Sequence, residues 1–313
     1  MAAAGPHRRD PVGPAPRSPG VAHAGHPRPV PVHVIEIVTH SGSATLQDLG
    51  RPGFAALGVP RSGAFDREAL RLANRLVGNP EGAVGIEVTL GGVELRLDRA
   101  ATIACTGAVC AGVDWGAAVS LPTGSSVRLA PPRTGLRSYL AVRGGFDVEH
   151  VLGSASTDTL SGLGPAPLRA GDRLAIGAQP NKAVSGSAAS GRPGGRALTV
   201  RFGPRDDWFT ETACQTLLGM PWRVRSECDR VGVRLDGPPL ERVRPGELPS
   251  EPVLPGALQV PGDGRPILFG PDAPITGGYP VIAVVTDLDR AAQLRPGDEV
   301  RFRSVSSGSG AGP

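Results

Sequence analysis

The sequence predicts a mainly β protein made of two β-barrel domains in tandem, with a few short helices. Short runs rich in β-branched residues recur along its 313 residues, bounded by Gly, Pro, Asp or Thr, with scarcely a helical pattern among them. Gly (45) and Pro (33) are abundant enough to punctuate strands that often. The segment Leu168-Arg-Ala-Gly-Asp172-Arg-Leu174 returns near the other end as Leu294-Arg-Pro-Gly-Asp298-Glu-Val300, so one tight turn and strand closes each half.

The expected domains are 32–177 and 196–305, joined by a Ser/Gly/Ala-rich linker at 178–195. Residues 1–31, with eight prolines and the loose histidines His7, His23 and His26, offer too little apolar surface to offset the entropy of ordering. They and residues 306–313 read as disordered tails.

In the first domain, Val32–Val38 reads as the opening strand, followed by Val93–Leu97, Ala101–Thr106, Ser125–Leu129 and Ser138–Val142. One short helix interrupts them. Asp66 is its N-cap, Ala69, Leu70, Ala73, Leu76 and Val77 are its apolar face, and Gly78 and Pro80 stop it. Gln47, Asp48, Arg51, Arg61 and Ser62 precede it in irregular backbone. In the second domain strands are expected at Leu198–Phe202, Trp222–Arg225, Val231–Leu235, Ala257–Val260, Ile267–Phe269 and Tyr279–Val285. A helix runs through Leu218 with Asp207 as a candidate cap, and a helical turn at Leu288–Leu294 precedes the last strand.

Composition removes several classes of function. With 40% hydrophobic residues the chain can bury the cores of two ordinary domains. Lys182 is the one lysine among 33 basic residues, and 29 acidic residues are interleaved with them, so the basic stripe of a nucleic-acid binder is missing. Cys105, Cys110, Cys214 and Cys228 make no CxxC pair and no zinc spacing with His; they read as reduced, mostly buried thiols, and no metal site is expected. There is neither a run of about 18 apolar residues nor a secretory signal, so a cytoplasmic protein without membrane contacts is expected.

Familiar catalytic signatures are missing as well: G-x-S-x-G, H-E-x-x-H, the P-loop, and a G-x-G-x-x-G opening a helix after a strand. His33, His40 and His150 are too scattered to make a dyad, which leaves proton transfer to carboxylates, Arg or Tyr. Gln47, Asp48 and Arg51 form a cluster suited to a carboxylate or amide, or else a loop held by Asp-to-backbone bonds and an Asp–Arg pair. Ser62 and Asp66 are site residues or helix-start residues. Asn74, near the apolar face of the helix, requires a polar partner, either a loop or a ligand. In the second half Glu251 and Gln259 flank Pro255-Gly-Ala, and Thr276-Gly277-Gly278-Tyr279 offers backbone amides to an oxyanion, or simply makes a turn.

One ordered set of motifs goes further. TLQDLGRPG (45–53), GVPRSGAFD (58–66), LRLANRLVGNP (70–80) and EVTLGG (87–92) resemble, in order and spacing, the start of the family of the 5-oxoprolinase C subunit. That family is also known as the biotin-dependent carboxyltransferase or allophanate hydrolase subunit 2 family. RSYLAVRGGFDV, LGSASTD, GPRDDWFT, GELPSE, PGALQVP and TGGYP extend the resemblance across 32–303, while Ile275, Pro252 and Cys228 depart from the family pattern. The resemblance implies cyclophilin-like barrels. It also implies ATP-dependent opening of 5-oxoproline to glutamate, with Mg as the counter-ion of ATP, in a complex with the 5-oxoprolinase B subunit and then the A subunit. Arg51, Arg75, Thr276, Gly277 and Gly278 are then expected to stabilise charge, and Asp48, Asp66 or Glu251 to move protons. Two alternatives stand beside it. One is the carboxyltransferase part of a biotin-dependent urea carboxylase, with biotin carried by another protein because Lys182 lacks a biotinyl context. The other is a regulatory binding protein.

Overall fold

Period-two alternation decides which faces turn inward. Strand β1 (Val34–His40) buries Ile35 and Ile37 and leaves the residues between them half-buried, as a strand with one face on a core must. The computed structural model describes residues 33–185, 187 and 197–305. The expected tails at 1–31 and 306–313, and most of the second half of the 178–195 linker, lie outside the described residues.

After β1 come β2 (Ser43–Gln47), helix α1 (Arg67–Leu76), β3 (Gly85–Thr89) and β4 (Val93–Leu97). Strands β5 (Ala101–Gly107), β6 (Ala118–Leu121), β7 (Ser126–Leu129), β8 (Arg137–Val142) and β9 (Arg173–Ala175) follow. Hydrogen bonding sorts them into two sheets, β7-β4-β1-β9 and β2-β3-β8-β5-β6. Both feed one core, in which Ile35, Ile37 and Leu95 join Leu46, Ile86 and Leu140. The first half is thus two sheets around a shared core, and the chain passes from one to the other at Ser41–Gly42, between β1 and β2.

The second half runs through β10 (Ala197–Phe202), α2 (Glu211–Gly219), β11 (Trp222–Val224), β12 (Gly232–Asp236) and β13 (Glu251–Pro252). It continues through β14 (Ala257–Gln259), β15 (Ile267–Phe269), β16 (Thr276–Gly277), β17 (Val281–Val285), α3 (Leu288–Ala291) and β18 (Glu299–Ser304). Here the sheet closes: β10-β17-β14-β15-β12-β11-β18 is a barrel, completed by parallel pairing of β10 with β18 through Leu198 and Phe302. Strands β13 and β16 form a separate two-stranded ribbon. Phe65, which precedes α1 in the first half, is buried in the core of this barrel with Val200, Leu258, Trp222 and Ile282.

Two local expectations need correction. Gln47, which the sequence places in irregular backbone, is the last residue of strand β2, which pairs with β3 over its full length. The cap of α2 is Thr210 rather than Asp207. Thr210 sits in extended backbone directly before the helix and accepts from Ala213 N at 3.1 Å, whereas Asp207 lies in a preceding 3-10 turn and faces Arg244 at 3.6 Å. No helix among the described residues is long and apolar enough to cross a membrane.

Candidate functional site

The loops before α1 are locked together through their backbones. Arg51 N donates to Arg61 O at 2.8 Å, and Ala64 N donates to Asp48 O at 2.9 Å. Gly63 has φ +91°, and a Cβ there would stand 2.7 Å from Gly50 N, so only glycine permits this approach. Ser62, itself at φ 53°, is held in the left-handed region by its N–H to Pro271 O at 3.1 Å and by Arg51 Nη1, which donates to its Oγ at 3.2 Å.

Asp48 and Arg51 do not pair with each other; both are consumed by the loop at 151–158. Asp48 Oδ1 accepts from Gly50 N (2.7 Å), Ser154 Oγ (2.6 Å) and Ser156 Oγ (2.5 Å), and Oδ2 accepts from Ala155 N (2.8 Å). Arg51, 1% exposed, donates to Val151 O, Ser62 Oγ and Ser156 O. Gln47 Nε2 reaches Thr157 O at 3.0 Å in the same region. This part of the predicted cluster is brought together, as a clamp between the β2 end and that loop.

Asp66 begins α1, accepting Ala69 N on Oδ1 (2.9 Å) and Gln293 Nε2 on Oδ2 (2.7 Å). Burial pushes its carboxyl up to about 7, against the opposing pull of those two donors. At the other end of α1, Asn74 is a buttress: it bonds Glu81 O and Ala83 O, and Asn79 donates to its Oδ1. Arg75 pairs with Glu81 at 2.9 Å on the surface.

The second-half candidates meet at the β13–β16 ribbon, where Glu251 lies opposite Gly277 and Pro252 opposite Thr276. Glu251 is bound by Arg205 through Nε at 2.9 Å and also through Nη2; that side-chain hydrogen bond holds its carboxyl below the usual range. Gln259 Nε2 donates to Tyr279 O at 3.1 Å, and the Arg242 guanidinium lies 5.8 Å from the Tyr279 ring centre. Gly278 O accepts from Leu248 N at 2.8 Å.

Between the loops of the first half and this ribbon lies a cleft of about 490 Å³. Arg51, Phe54, Arg61 and Arg67 line it from one side, and Val253, Pro255, Ile275 and Asp289 from the other. A second cleft of about 370 Å³ is lined by Asp66, Arg75, Trp115 and Asp289. Both lie in the size range of small-molecule sites.

Beneath the first cleft is a buried charge network that sequence reasoning does not assemble. Glu87 Oε1 bonds Arg230 Nη1 at 2.6 Å and lies 3.5 Å from Arg137 Nε; Oε2 accepts Tyr139 Oη (2.7 Å) and Phe65 N (3.0 Å). Burial raises the Glu87 pKa, but Arg230 and Arg137 outweigh it and hold the carboxyl below its ordinary value. Arg230 also grips Asp272 with two bonds of 2.9 Å and donates to Gly63 O at 2.7 Å. A signal was in view, since Glu87 stands in EVTLGG and Asp272 stands four residues before Thr276. What sequence spacing does not reveal is that residues 87, 230 and 272 share one buried centre.

Comparison with known proteins fits this architecture. The chain is 37% identical to the C subunit of 5-oxoprolinase from Escherichia coli strain K12, over 87% of this chain and 92% of that protein. It is 31% identical to urea amidolyase of Saccharomyces cerevisiae, of which it spans 17%. Among solved structures, TTHA0988 superposes with a TM-score of 0.79 at 37% identity, over 89% of this chain and 57% of that one. The urea amidolyase of K. lactis superposes with a TM-score of 0.82 at 28% identity, over 88% of this chain and 19% of that one. The chain therefore spans a little over half of the first structure and under a fifth of the amidolyases. Residues 57–304 match the model of the carboxyltransferase domain, subdomain A and B, and the chain belongs to that family.

Proposed function

We propose that this chain is the C subunit of a 5-oxoprolinase, a multi-subunit hydrolase that opens 5-oxo-L-proline to L-glutamate using ATP. The B subunit is its immediate partner, and the A subunit completes the assembly. One observation carries this reading: 37% identity to the E. coli protein extends over 92% of that protein, nearly all of it.

Opening the lactam adds water to the carbonyl carbon, breaks the C–N bond and delivers a proton to the nitrogen. Among the described residues Asp66 has a carboxyl that changes state near neutral pH and is suited to exchange that proton, but it lines the second cleft and not the main one; Asp289 is the acid that lines both. Asp48 is saturated by four donors, and Arg51 spends its guanidinium on two carbonyls and a hydroxyl. Both act as positioning residues that shape the rim. Ser62 lines the main cleft, and Glu251 and Thr276 stand next to Val253 and Ile275, which line it too; Gln47, Asn74, Gln259 and Tyr279 hold neighbouring backbone in place.

We assign ATP, with its Mg²⁺, to one of the partner proteins. At Gly277–Gly278 neither Arg205 across the ribbon, spent on Glu251, nor Gln259 Nε2, spent on Tyr279 O, is free for a phosphate. Arg75 is held away by Glu81.

The test is ATP hydrolysis dependent on 5-oxoproline, measured for this chain, for its pair with a B-subunit homologue, and for the mixture of all three. Turnover is expected only in the complete mixture. Turnover by the single chain, or none in the complete mixture, overturns the reading. The K. lactis superposition favours a second reading, in which the chain transfers a carboxyl group from a biotin carried by another protein to urea. Urea-dependent ATP hydrolysis with a biotin-carboxylase partner would select it.

A further inference from the structure

Most of the cations at the main cleft and the network beneath it are already spent. Arg51 is bound to Val151 O, Ser62 Oγ and Ser156 O, Arg230 to Glu87 and Asp272, and Arg137 to Ala292 O and Asp229 O. Two guanidiniums of the lining remain. Arg61 is exposed, and among the described residues its side chain makes no hydrogen bond or ion pair. Arg67 Nε is shielded from water without a partner, and its Nη2 reaches Leu49 O only at 3.4 Å.

Arg61 also acts on Arg67. Burial first, then the charges of Arg61 and Arg71, push the Arg67 guanidinium below its ordinary pKa. The acid that meets them, Asp289, spends Oδ1 on Arg67 N at 2.7 Å, and its own carboxyl is pushed up by burial. Arg67 lines the cleft with its guanidinium held by one long bond, and a second cation stands beside it; one oxyanion in the cleft relieves both. Around them the lining is largely apolar, with Phe54, Val59, Phe65, Val253, Pro255 and Leu288.

We infer that Arg61 and Arg67 form a carboxylate-binding subsite in this cleft, taking a small acid whose apolar part lies against Phe54 and Val253. Naming that acid as 5-oxoproline rests on the proposed function; the subsite itself rests on the two unspent guanidiniums. Neither arginine belongs to the residues that the sequence marked as binding.

The full-length chain, alone and in complex with its partner proteins, is titrated calorimetrically with L-5-oxoproline, with 2-pyrrolidinone (the same lactam without its carboxylate), with L-glutamate and with inorganic phosphate. 5-Oxoproline is expected to bind at least about tenfold more tightly than pyrrolidinone. Arg61→Gln and Arg67→Gln should each weaken it by about tenfold, which is about 1.4 kcal/mol, and leave pyrrolidinone binding unchanged. If Arg67→Gln fails to fold, Arg61→Gln carries the test, because that side chain supports nothing in the fold. Equal binding of acid and lactam, unchanged affinity in the variants, or no binding of either carboxylate overturns the subsite. Phosphate binding more tightly than either carboxylate would overturn the carboxylate assignment. If the three-protein mixture turns over 5-oxoproline with KM unchanged in the variants, the subsite is wrong and the function stands. If nothing turns over 5-oxoproline, yet L-glutamate binds the wild type and not the double variant, the subsite stands and the function falls.

Discussion

Glu87 and Arg230 lie 143 positions apart and meet at 2.6 Å, each almost wholly out of water. One belongs to β3 in the first half, the other to the turn before β12 in the barrel. With Asp272 on the far side of Arg230, the pair ties the two halves under the main cleft. Buried charges of this kind are costly to assemble and far costlier to leave alone.

Arg230→Met should therefore strand Glu87 and Asp272 without their shared cation. The expected loss is about 3–5 kcal/mol of unfolding free energy, read from urea denaturation. Adding Glu87→Gln to that variant should recover part of it. A loss below about 1 kcal/mol, the range of exposed pairs, would refute the buried-network argument.

Asp66 predicts a pH dependence with a definite sign. Its folded pKa of about 7 lies above the ordinary 3.8, so the folded chain binds this proton more tightly than the unfolded one. That contribution is complete below about pH 3.8 and lost as pH rises to about 7. Asp66→Asn keeps an N-cap for Ala69 and removes the titration. Between those limits its stability should fall less steeply than that of the wild type, the difference approaching 1.4 kcal/mol per pH unit at most, the value of about one proton. Parallel curves for the two proteins would contradict the assignment.

Glycines of similar φ should differ in cost. Gly63→Ala and Gly53→Ala both place a side chain at φ above +90°, but only at 63 does the Cβ strike backbone, 2.7 Å from Gly50 N; at 53 nothing lies within 4 Å. The first should lose several degrees of melting temperature beyond the second, whose strain alone is worth about 1–3 kcal/mol. Equal losses would show that the two loops are free to separate.

Arg51 and Glu251 should part company. Arg51→Ala leaves Val151 O, Ser156 O and Ser62 Oγ without their donor and is expected to cost at least about 2 kcal/mol. Glu251→Gln breaks only a half-exposed pair with Arg205, so its melting temperature should stay within a degree or two of the wild type. Activity lost in the folded Glu251→Gln protein would give that residue a part in the reaction. The reverse stability order would undo both placements.

Strands such as Val93–Leu97 and Ile267–Phe269 are legible to the residue, because their alternation and flanking turns are local. Strand β2 is not: Ser43-Ala-Thr-Leu-Gln47 is buried on both faces by tertiary packing and carries no alternation to read. The cap of α2 is missed for a similar reason. Asp207 and Thr210 are both good caps, and only the intervening 3-10 turn decides between them. At the site, motif spacing picks out Asp48, Arg51 and Asp66 but cannot tell a spent charge from an unspent one. That distinction depends on carbonyls about 100 positions away, which is why Arg61 and Arg67 emerge only from the folded geometry.

Strand β18 is the last strand described, and it pairs with β10 on one side and β11 on the other. During synthesis, everything up to Asp298 is therefore translated while both neighbours still show bare main-chain edges. The nascent barrel at that moment is a slot of unpaired donors and acceptors above an apolar floor that includes Trp222 and Val200. Such a slot accepts any extended segment of suitable alternation, its own or a stranger's. A ribosome stalled just before Glu299 would leave a sticky, strand-hungry product. In this chain the six residues of β18 separate a closed barrel from a seed for aggregation.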